Sequence, residues 1–177
     1  MKKIIIYISL IITFILIYLL QAMFFTNFTI ADVMPNLIVI LMLFIGLYMG
    51  RCRGVIFGII FGILVDMWIG KDFGITSTCF ALIGFLGGIF DKNFSKESRI
   101  TVILMGAICT IIYEVMVCVL KYFTIGLNIE TIEFIKILCI EVIYNILLTT
   151  ILYPIIKKVG YEIESEIKGN KIFTRYF

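Results

Sequence analysis

The chain has 177 residues, 62% of them hydrophobic and only 15% charged, with a formal net charge of +3 and a mean hydropathy of +1.15. A soluble domain is about 45–50% apolar and about 25% charged, and a short chain has too much surface to hide the excess from water. A soluble enzyme, a nucleic-acid binder and a disordered chain are therefore excluded, and lipid is the solvent for most of this sequence.

The absence of histidine removes the commonest general base and metal ligand. Cys52, Cys79, Cys109, Cys118 and Cys139 form no CxxC pair, and four of them sit in apolar runs, as buried small hydrophobes do. No nucleophile elbow, P-loop, dinucleotide fingerprint or metal-ligand cluster is present. No catalytic residue, cofactor or metal is expected.

A bilayer core about 30 Å thick takes about 20 apolar residues at a rise of about 1.5 Å. In chain order the apolar runs are 4–25, 35–50, 54–69, 74–90, 100–123 and 132–156. The first is too long for a signal-peptide core and lacks a small-x-small cleavage site, so it reads as a permanent helix. The second and third are short and separated only by Arg51-Cys52-Arg53, which reads as a tight helical hairpin; a re-entrant pair or a five-span chain is the alternative. The expected fold is an all-α polytopic membrane protein of six transmembrane helices with short loops. Residues 1–156 form one transmembrane domain and residues 157–177 a short cytoplasmic tail.

Basic residues orient the helices. With the N-terminus inside, Lys2, Lys3, Arg51, Arg53, Lys92, Lys96, Arg99, Lys157, Lys158, Lys168, Lys171 and Arg175 are cytoplasmic, against Lys71, Lys121 and Lys136 at the outer boundary. An even number of spans puts both termini in the cytoplasm. The outer loops, 26–34, 70–73 and 124–131, leave no extracytoplasmic domain, and the inner side offers little beyond 91–99 and the tail. The work of such a protein is done inside the membrane or through partners.

In lipid, small residues rather than hydrophobic burial bring helices together. Gly54, Gly58 and Gly62 recur every four residues on the third span, Gly46 and Gly50 on the second, and Gly84 and Gly88 on the fourth with Gly87 beside them. These faces serve packing within the chain or docking of another protein's helix. Trp68, Tyr122 and Tyr153 lie near span ends, as belt aromatics do, and Pro154 marks a kink or a helix end.

Ionisable groups inside spans are costly and face a bundle interior or a cavity. Asp66, Glu114, Glu141 and Asn145 form the expected intramembrane polar cluster. Glu114 and Glu141 each lie nine residues from the outer end of their spans, at similar depths of roughly 13 Å. If they adjoin, a shared proton, a cation or a donor must lie between them. The cluster either fixes helix register or lines an outward-facing pocket for a cation, a small ligand or a partner side chain.

Several motifs come in an order that resembles one family. Pro35-Asn36-Leu37 opens an aliphatic span, followed by Gly50-Arg51-Cys52-Arg53-Gly54, Gly58, Gly62-Ile63-Leu64-Val65-Asp66, Gly74 and Gly84 to Gly88, with Tyr144-Asn145 and Pro154 later. This is similar to the rod shape-determining protein MreD family of bacteria, over 35–88 and more loosely over 140–156. The resemblance implies a non-enzymatic component of the cell-wall elongation complex in the bacterial cytoplasmic (inner) membrane. It implies MreC as direct partner, with MreB filaments, RodA and a penicillin-binding protein reached indirectly. Membrane lipids surround the chain, no nucleic acid is involved, and a homo-oligomer is possible. The family's fold is similar to that of the substrate-binding membrane subunits of energy-coupling-factor transporters, which implies the rival reading: a vitamin-type transporter subunit.

Overall fold

The computed structural model describes residues 2–70, 73–126 and 130–168, and over these the chain is helical. The first helix, α1 (Lys2–Leu19), runs on into a π-helical turn, Leu20–Phe24, closed by the Phe25 N–H donating to Leu20 O at 3.2 Å. Five helices follow: α2 (Leu37–Met49), α3 (Arg51–Ile69), α4 (Ile75–Asn93), α5 (Arg99–Ile125) and α6 (Thr131–Lys168). The segments Lys2–Phe24, Ile75–Asn93, Arg99–Thr124 and Thr131–Lys168 are long and apolar enough to cross a membrane. At 13 residues, α2 extends only about 20 Å, and α3 carries Arg51, Arg53 and Asp66. Among the described residues four helices, rather than six, therefore meet the length and composition of a free-standing span.

What locks α2, α3 and α4 together is glycine. A methyl group added at Gly54 would strike the carbonyl of Gly84, and one at Gly84 would strike Gly54. Gly46 faces that same Gly84 carbonyl, Gly62 faces the backbone of Ser77, and a methyl group added at Gly58 would come within 2.5 Å of Phe80 O and 2.6 Å of Ala81 Cα. These partners are main-chain atoms of a neighbouring helix, which no rotamer change can move aside. Gly87 adds a contact to Leu43 O and Gly88 one to Arg51. The glycine faces are thus spent on one another inside the chain. Gly50 is the exception: it packs no helix face. Its φ of 89° turns the chain from α2 into α3, a backbone angle that L side chains rarely adopt.

Around this centre, α2 is buried almost along its whole length, whereas α1 buries only Leu10 and Phe14. Helix α1 is held by rings: Phe14 stacks on Phe61 at 4.1 Å, and Tyr18 lies 4.2 Å from Trp68. Trp68, expected as a belt aromatic, therefore serves to hold α1. Tyr153 is buried, and its hydroxyl donates to Glu97 O at 2.6 Å.

Helix α6 passes through the expected boundary at residue 157 and continues to Lys168, with Gly160, Glu164 and Ile167 packed into the body. Pro154 does not end it. A proline lacks the N–H that would bond the carbonyl four residues earlier, and that carbonyl, Thr150 O, instead accepts Arg99 Nη2 at 2.8 Å. One end of the bundle gathers charge. Lys96 bonds Asp91 and Glu164, each at 2.6 Å, and Lys168 bonds the same two carboxylates at 2.6 and 3.0 Å. At that end Lys2 also reaches Glu166 at 2.9 Å. Of the expected inner and outer cations, Lys71, Lys171 and Arg175 lie outside the described residues.

Alanine at Gly62 or Gly84 is expected to cost about 1–3 kcal/mol or more, because the backbone must separate. Alanine at Gly106, whose nearest neighbour is the Thr149 side chain at 3.3 Å, is expected to cost less. Thermal unfolding midpoints of the three variants in detergent check the order.

Candidate functional site: a polar pocket at the end of the bundle opposite the ion pairs

The end opposite the ion pairs collects the remaining polar groups. Ala31 and Asp32 both have positive φ, 50° and 64°, and the main chains of Ile30 and Val33 bond each other at 3.0 and 3.1 Å across them. This is the geometry of a tight turn with two left-handed central residues, unusual for alanine. It aims the chain so that Pro35-Asn36 enters the bundle. Asn36 then caps α2, its Oδ1 accepting from Val39 N at 3.3 Å.

A buried polar thread runs from that cap. The Asn36 N–H donates to Asn145 Oδ1 at 3.0 Å, Asn145 Nδ2 donates to Thr110 Oγ1 at 3.0 Å, and Thr110 Oγ1 donates to Gly106 O at 3.0 Å. The Asn36 side chain also hydrogen-bonds the Tyr113 hydroxyl. Asn145 is 1% exposed, so this thread fixes the registers of α2, α5 and α6 against one another.

One turn before Asn145 on α6, Glu141 meets Glu114 of α5 within hydrogen-bonding reach. Both line a pocket of about 430 Å³ together with Gln21, Asn36, Ile137, Ile140 and the 31–35 turn. Glu133 and Lys136 stand exposed at its mouth. Glu141 is 5% exposed, yet its Oε1 has no hydrogen-bond partner, and neither has the buried Oε1 of Gln21. Tyr144 ties the loop before α2 to α6, its hydroxyl donating to Phe28 O at 2.9 Å.

Of the four expected cluster members, the structure brings Glu114, Glu141 and Asn145 together. Asp66 stands apart. Its Oδ2 accepts from Gly74 N at 2.9 Å and Ser77 N at 3.2 Å, covering the first-turn N–H groups of α4, whose own N-cap is a side-chain-less glycine. Ser77 in turn donates its hydroxyl to Ile59 O at 2.9 Å. Asp66 is thus the clasp between α3 and α4. Asn36, Thr110 and Tyr113 are pocket or thread residues that reading spans one at a time does not single out. The Asn just after Pro35 was the available signal, since an N-cap side chain must point back into the helix start.

Among the described residues no group of three or more His, Cys, Asp or Glu side chains is arranged to hold a metal. The family model of the rod shape-determining protein MreD matches residues 1–160. The chain therefore belongs to that family, a helical membrane protein with a role in rod shape. No curated protein and no solved structure matches it.

Asp66→Ala is expected to lose about 0.5–2 kcal/mol of stability, and Asp66→Asn, which keeps an acceptor, less. Asn145→Leu strands the Asn36 N–H and is expected to cost about 1–3 kcal/mol. Thermal unfolding in detergent checks all three; an Asp66→Ala protein as stable as wild type contradicts the clasp.

Proposed function

We propose that this protein is a non-enzymatic scaffold of the bacterial wall-elongation complex, seated in the cytoplasmic membrane with six crossings and both termini inside. MreC is its direct partner, and through MreC it links RodA and a penicillin-binding protein to MreB filaments. The observation that carries this reading is how the chain divides its surfaces. The glycine faces close α2, α3 and α4 into one rigid body, which leaves long apolar flanks free: Ile56, Ile63 and Met67 on α3, Ile111, Val115 and Val119 on α5. A rigid body with greasy flanks and short connections suits gripping other membrane helices. The pairing of Lys2 with Glu166, beside the cluster around Lys96, supports a cytoplasmic placement of the α1 start, the α4–α5 loop and the α6 end.

A second reading, a substrate-binding subunit of a vitamin-type transporter, is favoured by the pocket of about 430 Å³ at the opposite end. Pocket sites for small ligands run about 300–1,000 Å³. They are mostly apolar with a few polar groups, whereas this one is rich in carboxyl groups and lacks aromatic side chains.

Cells depleted of the protein are expected to lose rod shape, and photo-cross-linkers on the exposed flanks of α3 and α5 are expected to capture MreC. Rod-shaped growth after depletion, or capture of an ATPase module in place of MreC, overturns the scaffold reading. Reporter fusions in 91–99 are expected to score as cytoplasmic.

A further inference from the structure

We propose that the groove between α1 and α6 is the seat of a resident phospholipid, one of whose acyl chains lies in it against α2. The proposal is independent of the scaffold reading: a chain that holds no lipid there is still free to hold its partner.

Helix α1 is tied to α6 near both ends. At the end that bears the ion pairs, Lys2 Nζ lies 2.9 Å from Glu166 Oε1. Towards the other end, the Phe25 ring meets the Tyr144 ring edge-on at 6.3 Å. Another side of α1 is held to α3 by the ring pairs Tyr7–Phe57 and Phe14–Phe61. Between the two ties a groove of about 500 Å³ opens, with α1 and α6 as its walls and α2 as its floor. Thr13 and Ile17 of α1, Leu41 of α2, and Leu152 and Val159 of α6 face it, and all five keep accessible surface.

Three features fix the occupant. The first is polarity. No charged side chain lines the groove, and the Thr13 hydroxyl is already spent on Ser9 O at 2.9 Å. A polar ligand would give up its water there and gain no partner in return.

The second is shape. The groove runs from Ser9 to Phe25 along α1 and from Ile163 to Leu148 along α6, which is about 22–24 Å at the helical rise. A helix about 10 Å across and of that length fills roughly 1,700 Å³. The groove has less than a third of that, so neither a partner's helix nor that of a second copy fits inside it. Spread over its length, its volume gives a cross-section of about 20 Å². That is close to the girth of one hydrocarbon chain, whose carbons meet their neighbours at about 3.5–4.0 Å.

The third is charge at one end. Lys2 and Lys3 stand exposed where the groove approaches the ion-paired end of the bundle. Glu166 engages Lys2, and Lys3 beside it is left to meet the phosphate of a lipid whose tail lies in the groove. A tail so placed touches three helices at once, whereas lipid on the outer flanks meets one helix face. It therefore gains more dispersion contacts than its neighbours and leaves more slowly.

The test is lipid retention by the full-length protein in detergent, read by native mass spectrometry. The probes are palmitoyl-oleoyl phosphatidylglycerol and the phosphatidylethanolamine with the same tails. Saturable retention of a single phospholipid per chain is expected. Thr13→Phe places a ring in the groove and is expected to weaken retention roughly tenfold or more, because ring and tail compete for one volume. Ile8→Phe, on a lipid-facing side of α1 that is 53% exposed, is expected to leave it unchanged. Leu152→Phe is the substitute if Thr13→Phe does not fold, with the same loss expected. Equal retention of the two lipids assigns the hold to the tail, and stronger retention of phosphatidylglycerol adds the lysines to it; both sustain the site. Three results overturn the proposal: no phospholipid retained by the wild type, undiminished retention in the folded ring-bearing variant, or a photo-cross-linker at Leu152 that captures a protein helix in cells, from a partner or a second copy, in place of lipid.

Discussion

Main chain against main chain is the contact on which this protein depends. In water a bundle closes because apolar side chains leave the solvent; in lipid the solvent is as apolar as leucine, and that drive disappears. What remains is dispersion, which decays steeply with distance, so helices adhere only where side chains do not hold them apart. Gly46, Gly54, Gly58, Gly62, Gly84 and Gly87 supply that closeness along α2, α3 and α4. The short α2 is tolerable for the same reason. It is enclosed by neighbours over nearly its whole length, so it need not match the bilayer by itself.

A second constraint follows from the first. Without water, each break in a helix needs a protein donor or acceptor. Three breaks show how this chain answers. Asp66 covers the start of α4, Asn36 the start of α2, and the Arg99 guanidinium the carbonyl that Pro154 leaves open. The Asp66 and Arg99 remedies come from another helix, so each also ties two elements together. The two ends of the molecule differ in charge: at one, two lysines pair with two carboxylates, while at the other four carboxyl groups line a pocket with a single lysine.

The helices and the glycine stripes were legible in the sequence because periodicity and hydropathy are local. A four-residue repeat of glycine fixes a helix face whatever that face meets. Gly50 was misread by the same rule: it shares the spacing of Gly46, but a residue at a helix end is governed by the turn it must make. Asp66 was grouped with the glutamates on depth alone, and depth does not say which neighbour a side chain faces. The tail boundary at residue 157 followed from the last apolar run. It missed that Glu164 and Lys168 meet Lys96 and Asp91 across the fold.

The sequence by itself determined the solvent, the helices, the small-residue faces and the family, since each is a property of composition or of spacing along one helix. Only the tertiary structure decided that the glycine faces consume one another, that Asp66 clasps α3 to α4, and that Glu114 and Glu141 meet beneath an open pocket. Those are relations between different helices, and other contacts span more of the chain: the bond from Asn36 to Asn145 joins residues 109 apart. No one-dimensional pattern records them, because a helix's own period tells which way a side chain points and not what waits there.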